Sequence, residues 1–332
     1  MLRLTPFTYV TPASVAEAVQ LRKQYGDEAA YMGGGTDLLP NIKHRLAEPK
    51  FVIGLRSLRE MQSIVREESG GLRLGGSVRL SQLEHSPLVR NEYPALADAA
   101  AVISSPQVRR VGTLGGNICL DVRCNYYNQS EHWRRAVGFC MKKDSEICRV
   151  APGSDRCWAV SSADTVPVLL AHGAQVAVFG PAGERLLPLE ELYRDDGLVP
   201  MALQPDEVVA AVRLPPPNGL RVVYSKLRIR MSFDFPLVGA ATGLALDVDG
   251  MVRQSRIFLT AVASLPMRVR AAEELLIGRP LTDELIRAAG DQVFRSTHPM
   301  DNTEGSIPHR KRMARVYVER ALRDFARANP DA

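Results

Sequence analysis

Two kinds of residue in this chain could do chemistry: a group of thiols and a pair of glycine clusters. Cys124, Cys140, Cys148 and Cys157 lie in one stretch, CNYYNQSEHWRRAVGFCMKKDSEICRVAPGSDRC, which holds four of the chain's five cysteines and has neither a helical nor a strand period. Thiolates bind zinc or iron–sulfur clusters, or pair as disulfides. An odd cysteine count, and a start (MLRLTPFTYVTP) without an apolar signal segment, argue against a disulfide framework and for a reducing, cytoplasmic setting. No two cysteines form the Cys-x-x-Cys knuckle of a zinc ribbon, so zinc stays open without being indicated, and iron–sulfur ligation obeys no single spacing. An irregular segment with little apolar content needs a staple, and four thiolates around a metal centre supply one. Cys119, outside the stretch, reads as a buried small residue, and His132–Trp133, which lacks a metal-binding spacing, as packing.

The first glycine cluster, YMGGGTDLL, follows a strand (Ala29 to Met32) and precedes a helix, the setting of a phosphate loop: glycines let backbone N–H groups approach an anion. Leu38 stands where the Rossmann fingerprint needs its third glycine, and the glycine-lysine pair of a P-loop is missing. The second cluster, VGTLGGNIC (Val111 to Cys119), offers another backbone-rich concavity. Two such loops suit a ligand with two phosphates, a dinucleotide held outside the Rossmann scheme, with FAD the natural candidate.

The elements that must position these loops can be read along the chain. Ser14 followed by Glu17 makes a capping box ahead of a first helix with Val15, Ala18, Val19 and Leu21 on its apolar face. FVIGL and LRLGGSV read as strands, LSQLEHSPLV and YPALADAAAVIS as helices, and DTVPVLLAHGAQVAVFG as a helix, a glycine stop and a strand. RLPPPNGL (Arg213 to Leu220) is a linker. Three strand-like runs and two helical segments follow it, an α+β pattern. In the basic run from His309 to Arg327, Ala314, Val318, Ala321, Leu322 and Phe325 share one helical face, so a C-terminal amphipathic helix with a solvated basic side is expected.

Composition sets the outer limits. At 332 residues, 45% hydrophobic and 24% charged, the chain is too long for one core and points to two or three domains. No apolar run is long enough to span a membrane. The +5 formal charge comes without base-reading motifs, so no nucleic acid is expected.

GGGTDL, QVRRVGTLGGNI, DTVPVLLAHGAQV and YSKLRIRMSFDFPLVGAA occur in the order seen in the FAD-binding subunit of the molybdenum hydroxylase (xanthine dehydrogenase) family, which the chain resembles over nearly its whole length. The resemblance implies an α+β fold: a two-part FAD-binding domain of the PCMH (vanillyl-alcohol-oxidase) type, residues 1–55 and 56–217, then a smaller α+β C-terminal domain, 218–332. It further implies that Tyr31, Met32, Gly33 and Gly34, with Gly35, Thr36, Asp37 and Leu38, wrap the pyrophosphate. Thr113, Leu114, Gly115, Gly116 and Asn117 would complete the cradle. Ile103 would lie against the flavin, Asp164 would accept from ribitol or ribose hydroxyls, Val209 would form an apolar wall, and Lys226 would sit near the isoalloxazine.

The cysteine stretch is a departure, since ordinary members pass much sooner from GGNI to the aspartate-bearing helix. An insert at about 120–160 that carries four thiolates is similar to that of the branch which reduces 4-hydroxybenzoyl-CoA. That likeness implies a [4Fe-4S] cluster on Cys124, Cys140, Cys148 and Cys157, with Tyr127 reaching toward the FAD. It also implies ferredoxin as donor, a [2Fe-2S] small subunit, a molybdenum cofactor-binding large subunit, and a dimer of heterotrimers. The insert has six basic against four acidic residues, which suits docking of an acidic ferredoxin, although on sequence alone a solvated loop of mixed charge is the favoured explanation. Two rival readings are an FAD subunit that passes electrons outward to NAD and a zinc-stapled basic binding module with no redox role.

Overall fold

Ser14 opens the first helix, Val15–Tyr25: its Oγ accepts the Glu17 amide at 3.1 Å, and Glu17 Oε2 accepts the Ala13 amide at 2.6 Å. This is seen in a computed structural model that describes residues 2–328; Met1 and the last four positions of the expected 218–332 domain lie outside the described residues. Val15, Ala18 and Val19 bury against a parallel sheet of β1 (Thr8–Val10), β2 (Ala29–Met32) and β3 (Phe51–Gly54), ordered β1-β3-β2.

A second, antiparallel sheet is formed by β4 (Ile64–Arg66), β5 (Leu72–Gly75), β6 (Gln175–Gly180), β7 (Gly183–Pro188) and β8 (Val208–Leu214), ordered β4-β5-β8-β6-β7. Between β5 and β6 the chain makes its detour through the helices, the second glycine loop and the cysteine segment. LSQLEHSPLV, expected as one helix, is two, Leu80–His85 and Pro87–Glu92. Pro87 has no N–H to continue the first, and Ser86 Oγ caps the second.

The third sheet, antiparallel, contains β9 (Arg221–Leu227), β10 (Val238–Leu246), β11 (Val252–Thr260) and β12 (Met267–Arg268), ordered β12-β11-β10-β9. Helices Arg270–Leu276, Asp283–Ser296 and Ile307–Arg327 pack with this sheet, the last burying Ala314, Val318, Ala321, Leu322 and Phe325 as their spacing predicts. Helix Thr165–Ala171 is buried at every position and packs on β10 and β11. One core therefore runs from Leu72, Val176 and Val212 of the second sheet through Val166 to Val222, Ala241 and Phe258 of the third. No helix among the described residues is long and apolar enough to cross a membrane.

The cysteine segment is not wholly irregular as expected. Ser130 Oγ accepts the Trp133 amide at 3.3 Å and starts a short helix, Glu131–Ala136, with an acidic first turn and basic last turn. Six residues are too few to show a period in sequence. Arg134 on this helix is fully buried, and its Nη2 donates to the carbonyls of His44 at 2.8 Å and Arg45 at 3.2 Å, just past helix Leu38–Lys43.

His172 ends helix Thr165–Ala171, buried edge-on to Tyr93 with ring centroids 5.0 Å apart and no partner for Nε2. Burial pushes its imidazole down to about 4, below the ordinary 6.5. The unfolded chain therefore binds the extra proton first, and stability falls as pH drops from about 6.5 toward 4, by up to about 1.4 kcal/mol per pH unit from this group. His172→Gln is expected to flatten that part of a urea-denaturation pH profile; an unchanged slope would count against the assignment.

Candidate functional site

The two glycine clusters form one structure. The chain leaves β2 through Gly33 and Gly34, turns at Gly35 in the left-handed region (φ +74°), and enters helix Leu38–Lys43. The second loop is capped by Thr113, whose Oγ1 accepts the Gly116 amide at 3.1 Å, and becomes helix Leu114–Ile118. Its backbone is zipped to the turn after β5: Leu114 N donates to Val78 O at 2.8 Å and Gly115 N to Gly76 O at 2.7 Å. The loops then touch each other. A Cβ on Gly33 would lie 2.6 Å from Thr113 Oγ1, and one on Gly34 would overlap the Val111 carbonyl.

Where they meet, a cleft of about 690 Å³ opens, within the usual size of cofactor sites. All eight residues from Tyr31 to Leu38 line it, together with Ile103, Thr113, Gly115, Gly116, Asn117, Asp164 and Val209. Asn117 also ties the second loop to the next helix, its Oδ1 accepting from Thr165 N at 3.2 Å and Thr165 Oγ1 at 2.6 Å. Three expected positions are not on the cleft wall. Leu114 is fully buried in the core, because its backbone belongs to the loop but its side chain points away from the cavity. Tyr127 lines a neighbouring cavity, and Lys226 stands behind Asp164. Cys119, expected to be buried, is exposed and lines the cleft.

Several lining residues had no signal in the sequence. Gly76 and Ser77 were hidden in a strand reading, and Phe233 and Phe235 follow a β9 motif whose folded-back course no period announces. Ser104 and Phe233, both on the cleft wall, adopt left-handed backbone (φ 46° and 64°), and Ser232 Oγ donates to Ser104 O at 3.3 Å. Such conformations are retained where the surroundings enforce them, commonly at functional sites.

Asp164 is the best-anchored acid in the cleft. Tyr224 O–H donates to its Oδ1 at 2.7 Å and Lys226 Nζ to its Oδ2 at 2.9 Å, while Lys226 also reaches Val102 O at 3.1 Å. Burial raises the carboxyl's pKa, and the Lys226 ammonium opposes that rise. The Lys226 and Asp164 side chains are 3% and 4% exposed, so removing either charge strands the other. Lys226→Met is expected to cost about 3–5 kcal/mol in chemical denaturation; a loss below about 1 kcal/mol, the scale of a surface pair, would refute this.

The four cysteines of the insert also converge. Cys124, Cys140, Cys148 and Cys157 line one small buried cavity with Tyr127, Lys142 and Met141. Its free volume, about 10 Å³, is that of a single water. Among the described residues no three His, Cys, Asp or Glu side chains form a group that could hold a metal ion. Burial pushes the Cys124 thiol up to about 12 and the Cys157 thiol to about 11, the latter opposed by the Lys142 ammonium. A short polar bridge joins the two cavities. Asp121, on the cleft wall, ion-pairs with Lys142 at 3.0 Å, and Lys142 Nζ sits over the Tyr127 ring, 5.0 Å from its centroid.

Comparison with known proteins agrees with this geometry. Residues 5–217 match the FAD-binding domain in molybdopterin dehydrogenase, and residues 223–325 match the CO dehydrogenase flavoprotein C-terminal domain. The chain is 30% identical over 318 residues to the carbon monoxide dehydrogenase medium chain of Hydrogenophaga pseudoflava, covering 95% of this chain and 96% of that one. It is 32% identical over 323 residues to the aldehyde oxidoreductase FAD-binding subunit PaoB of Escherichia coli K12, covering 94% and 98%. A chain of the H. pseudoflava carbon monoxide dehydrogenase structure that lacks the Mo-pyranopterin moiety superposes with a TM-score of 0.80, at 29% identity over 98% of this chain and 99% of that one. The protein belongs to the FAD-binding subunits of the molybdenum hydroxylase family, with that family's FAD domain followed by its smaller C-terminal domain.

Proposed function

We propose that this chain is the electron-entry subunit of a reductase of the 4-hydroxybenzoyl-CoA type, holding FAD in the large cleft and a [4Fe-4S] cluster on Cys124, Cys140, Cys148 and Cys157. The observation that carries this reading is the convergence of those four thiols on one buried cavity, joined to the cleft by Asp121, Lys142 and Tyr127. The donor set is thiol-only, which suits iron–sulfur chemistry better than hard cations. Loading such a group requires the thiol protons to leave.

In this reading ferredoxin would supply electrons in the cytoplasm, and the residues of the cleft and of the cysteine cavity would hold the one- and two-electron carriers that link it to a [2Fe-2S] small subunit and a molybdenum cofactor-binding large subunit, in a dimer of heterotrimers. There 4-hydroxybenzoyl-CoA would take up two electrons and two protons, giving benzoyl-CoA and water. This chain's own residues bind and insulate the carriers: Ile103 and Val209 give apolar walls, and Asp164 a fixed acceptor for a ligand hydroxyl.

An anaerobic absorption spectrum of the purified chain, with iron, sulfide, zinc and flavin analysis, tests the reading. About four irons and four sulfides per FAD are expected. FAD accompanied by zinc without sulfide would overturn the inward path and favour outward delivery of electrons to NAD.

A further inference from the structure

We propose that Arg123, immediately before Cys124, is the side chain that neutralises the pyrophosphate of the bound dinucleotide. Among the described residues that line the cleft it is the only lysine or arginine, against Asp37, Asp121, Asp164, Glu207 and Asp234. Four of those acids are committed to cations off the cleft wall: Asp121 to Lys142, Asp164 to Lys226, Glu207 to Arg185 and Asp234 to Arg230. Only the ion pair of Arg123 with Asp37 lies within the cleft, and Asp37 belongs to the first glycine loop.

Backbone N–H groups alone leave a diphosphate short of formal positive charge. The helices after the two loops, Leu38–Lys43 and Leu114–Ile118, have six and five residues, so their dipoles add little. A guanidinium supplies both charge and a planar fork of donors. Arg123 is placed for this. Its backbone is pinned by reciprocal hydrogen bonds with Val160, both 2.8 Å, and its guanidinium lies 4.4 Å from the Phe235 ring centroid. Its Nε has no partner, and the side chain is 14% exposed. Nε is closed off from the cleft, so a phosphate oxygen would be met by the Nη donors of the fork.

The inference goes beyond the reductase reading and needs only the FAD, not the cluster. The test is fluorescence titration of the flavin-stripped full chain with FAD and, separately, with riboflavin, which has no phosphate. Arg123→Gln is expected to weaken FAD binding by about tenfold to a hundredfold, the scale of one charge-assisted hydrogen bond, and to leave riboflavin binding unchanged. Arg123→Lys should restore part of the FAD affinity, and the wild-type advantage should shrink as salt is raised. Unchanged FAD affinity, or equal losses for FAD and riboflavin, would overturn the assignment, the second outcome marking a packing role. Iron measured on the same preparations keeps a failure here separate from a failure of the cluster reading.

Discussion

Gly34→Ala is expected to yield a chain that purifies without FAD. The added Cβ would overlap the Val111 carbonyl and crowd the carbonyl carbon and Gly112 Cα behind it, all backbone atoms that no rotamer change can move aside. Val111 leads into the loop capped by Thr113, and that loop is held through Leu114 and Gly115 to the turn after β5. The clash therefore separates the halves of the cradle rather than shifting one side chain. Core overpacking of this kind typically costs about 1–3 kcal/mol, and at a cofactor cradle the same displacement misplaces the donors. Flavin released per chain on denaturation, set beside the far-ultraviolet circular dichroism of the native variant, checks this. Gly153→Ala, whose Cβ would meet nothing within 4 Å, is the control and should keep its flavin. Full flavin content in Gly34→Ala would show that the two loops do not act together.

On the proposed cluster reading, Cys140→Ala is expected to lower iron and sulfide from about four per chain to below about one, with FAD retained. Cys140 lies in the apolar cluster with Cys124, Tyr127 and Cys157, and its backbone is tied to Lys143 in a tight turn that survives the loss of sulfur. Cys140 is not on the cleft wall, so flavin content serves as the internal reference. Cys119→Ala should leave iron untouched, because that thiol faces the cleft and is not on the cavity of the other four. If Cys119→Ala removed the iron and Cys140→Ala did not, the ligand set would be wrong.

The parts of the fold legible in sequence are those with a repeating physical signal. The Ser14 cap, the face from Ala314 to Phe325, and the glycine stop before β6 all sit where local chemistry placed them. So does the lining by Tyr31 to Leu38, since a strand, three glycines and a helix leave little choice of path. What escaped depends on tertiary approach. Leu114 and Gly115 are neighbours in one motif, yet one faces the core and the other the cleft. The bonds of the Lys226 ammonium to Asp164 and Val102 join positions far apart in the chain and leave no trace in sequence. Gly76 looked like strand interior, and only the close approach of the Val209 carbonyl to where its Cβ would stand shows why no side chain fits there.

The Asp164 network carries a consequence for how such chains can be recombined. The carboxylate stands at the head of a helix in the FAD domain, but the hydroxyl and ammonium that hold it come from Tyr224 and Lys226, in the segment matched by the C-terminal domain. Ala241 and Phe258 of that same segment fill the shared core. A cut at the proline linker would leave an uncompensated charge and an open apolar face on the flavin side. The linker therefore marks a change of architecture without marking a modular joint: a chimera with a relative must import β9 together with its own aspartate-bearing helix.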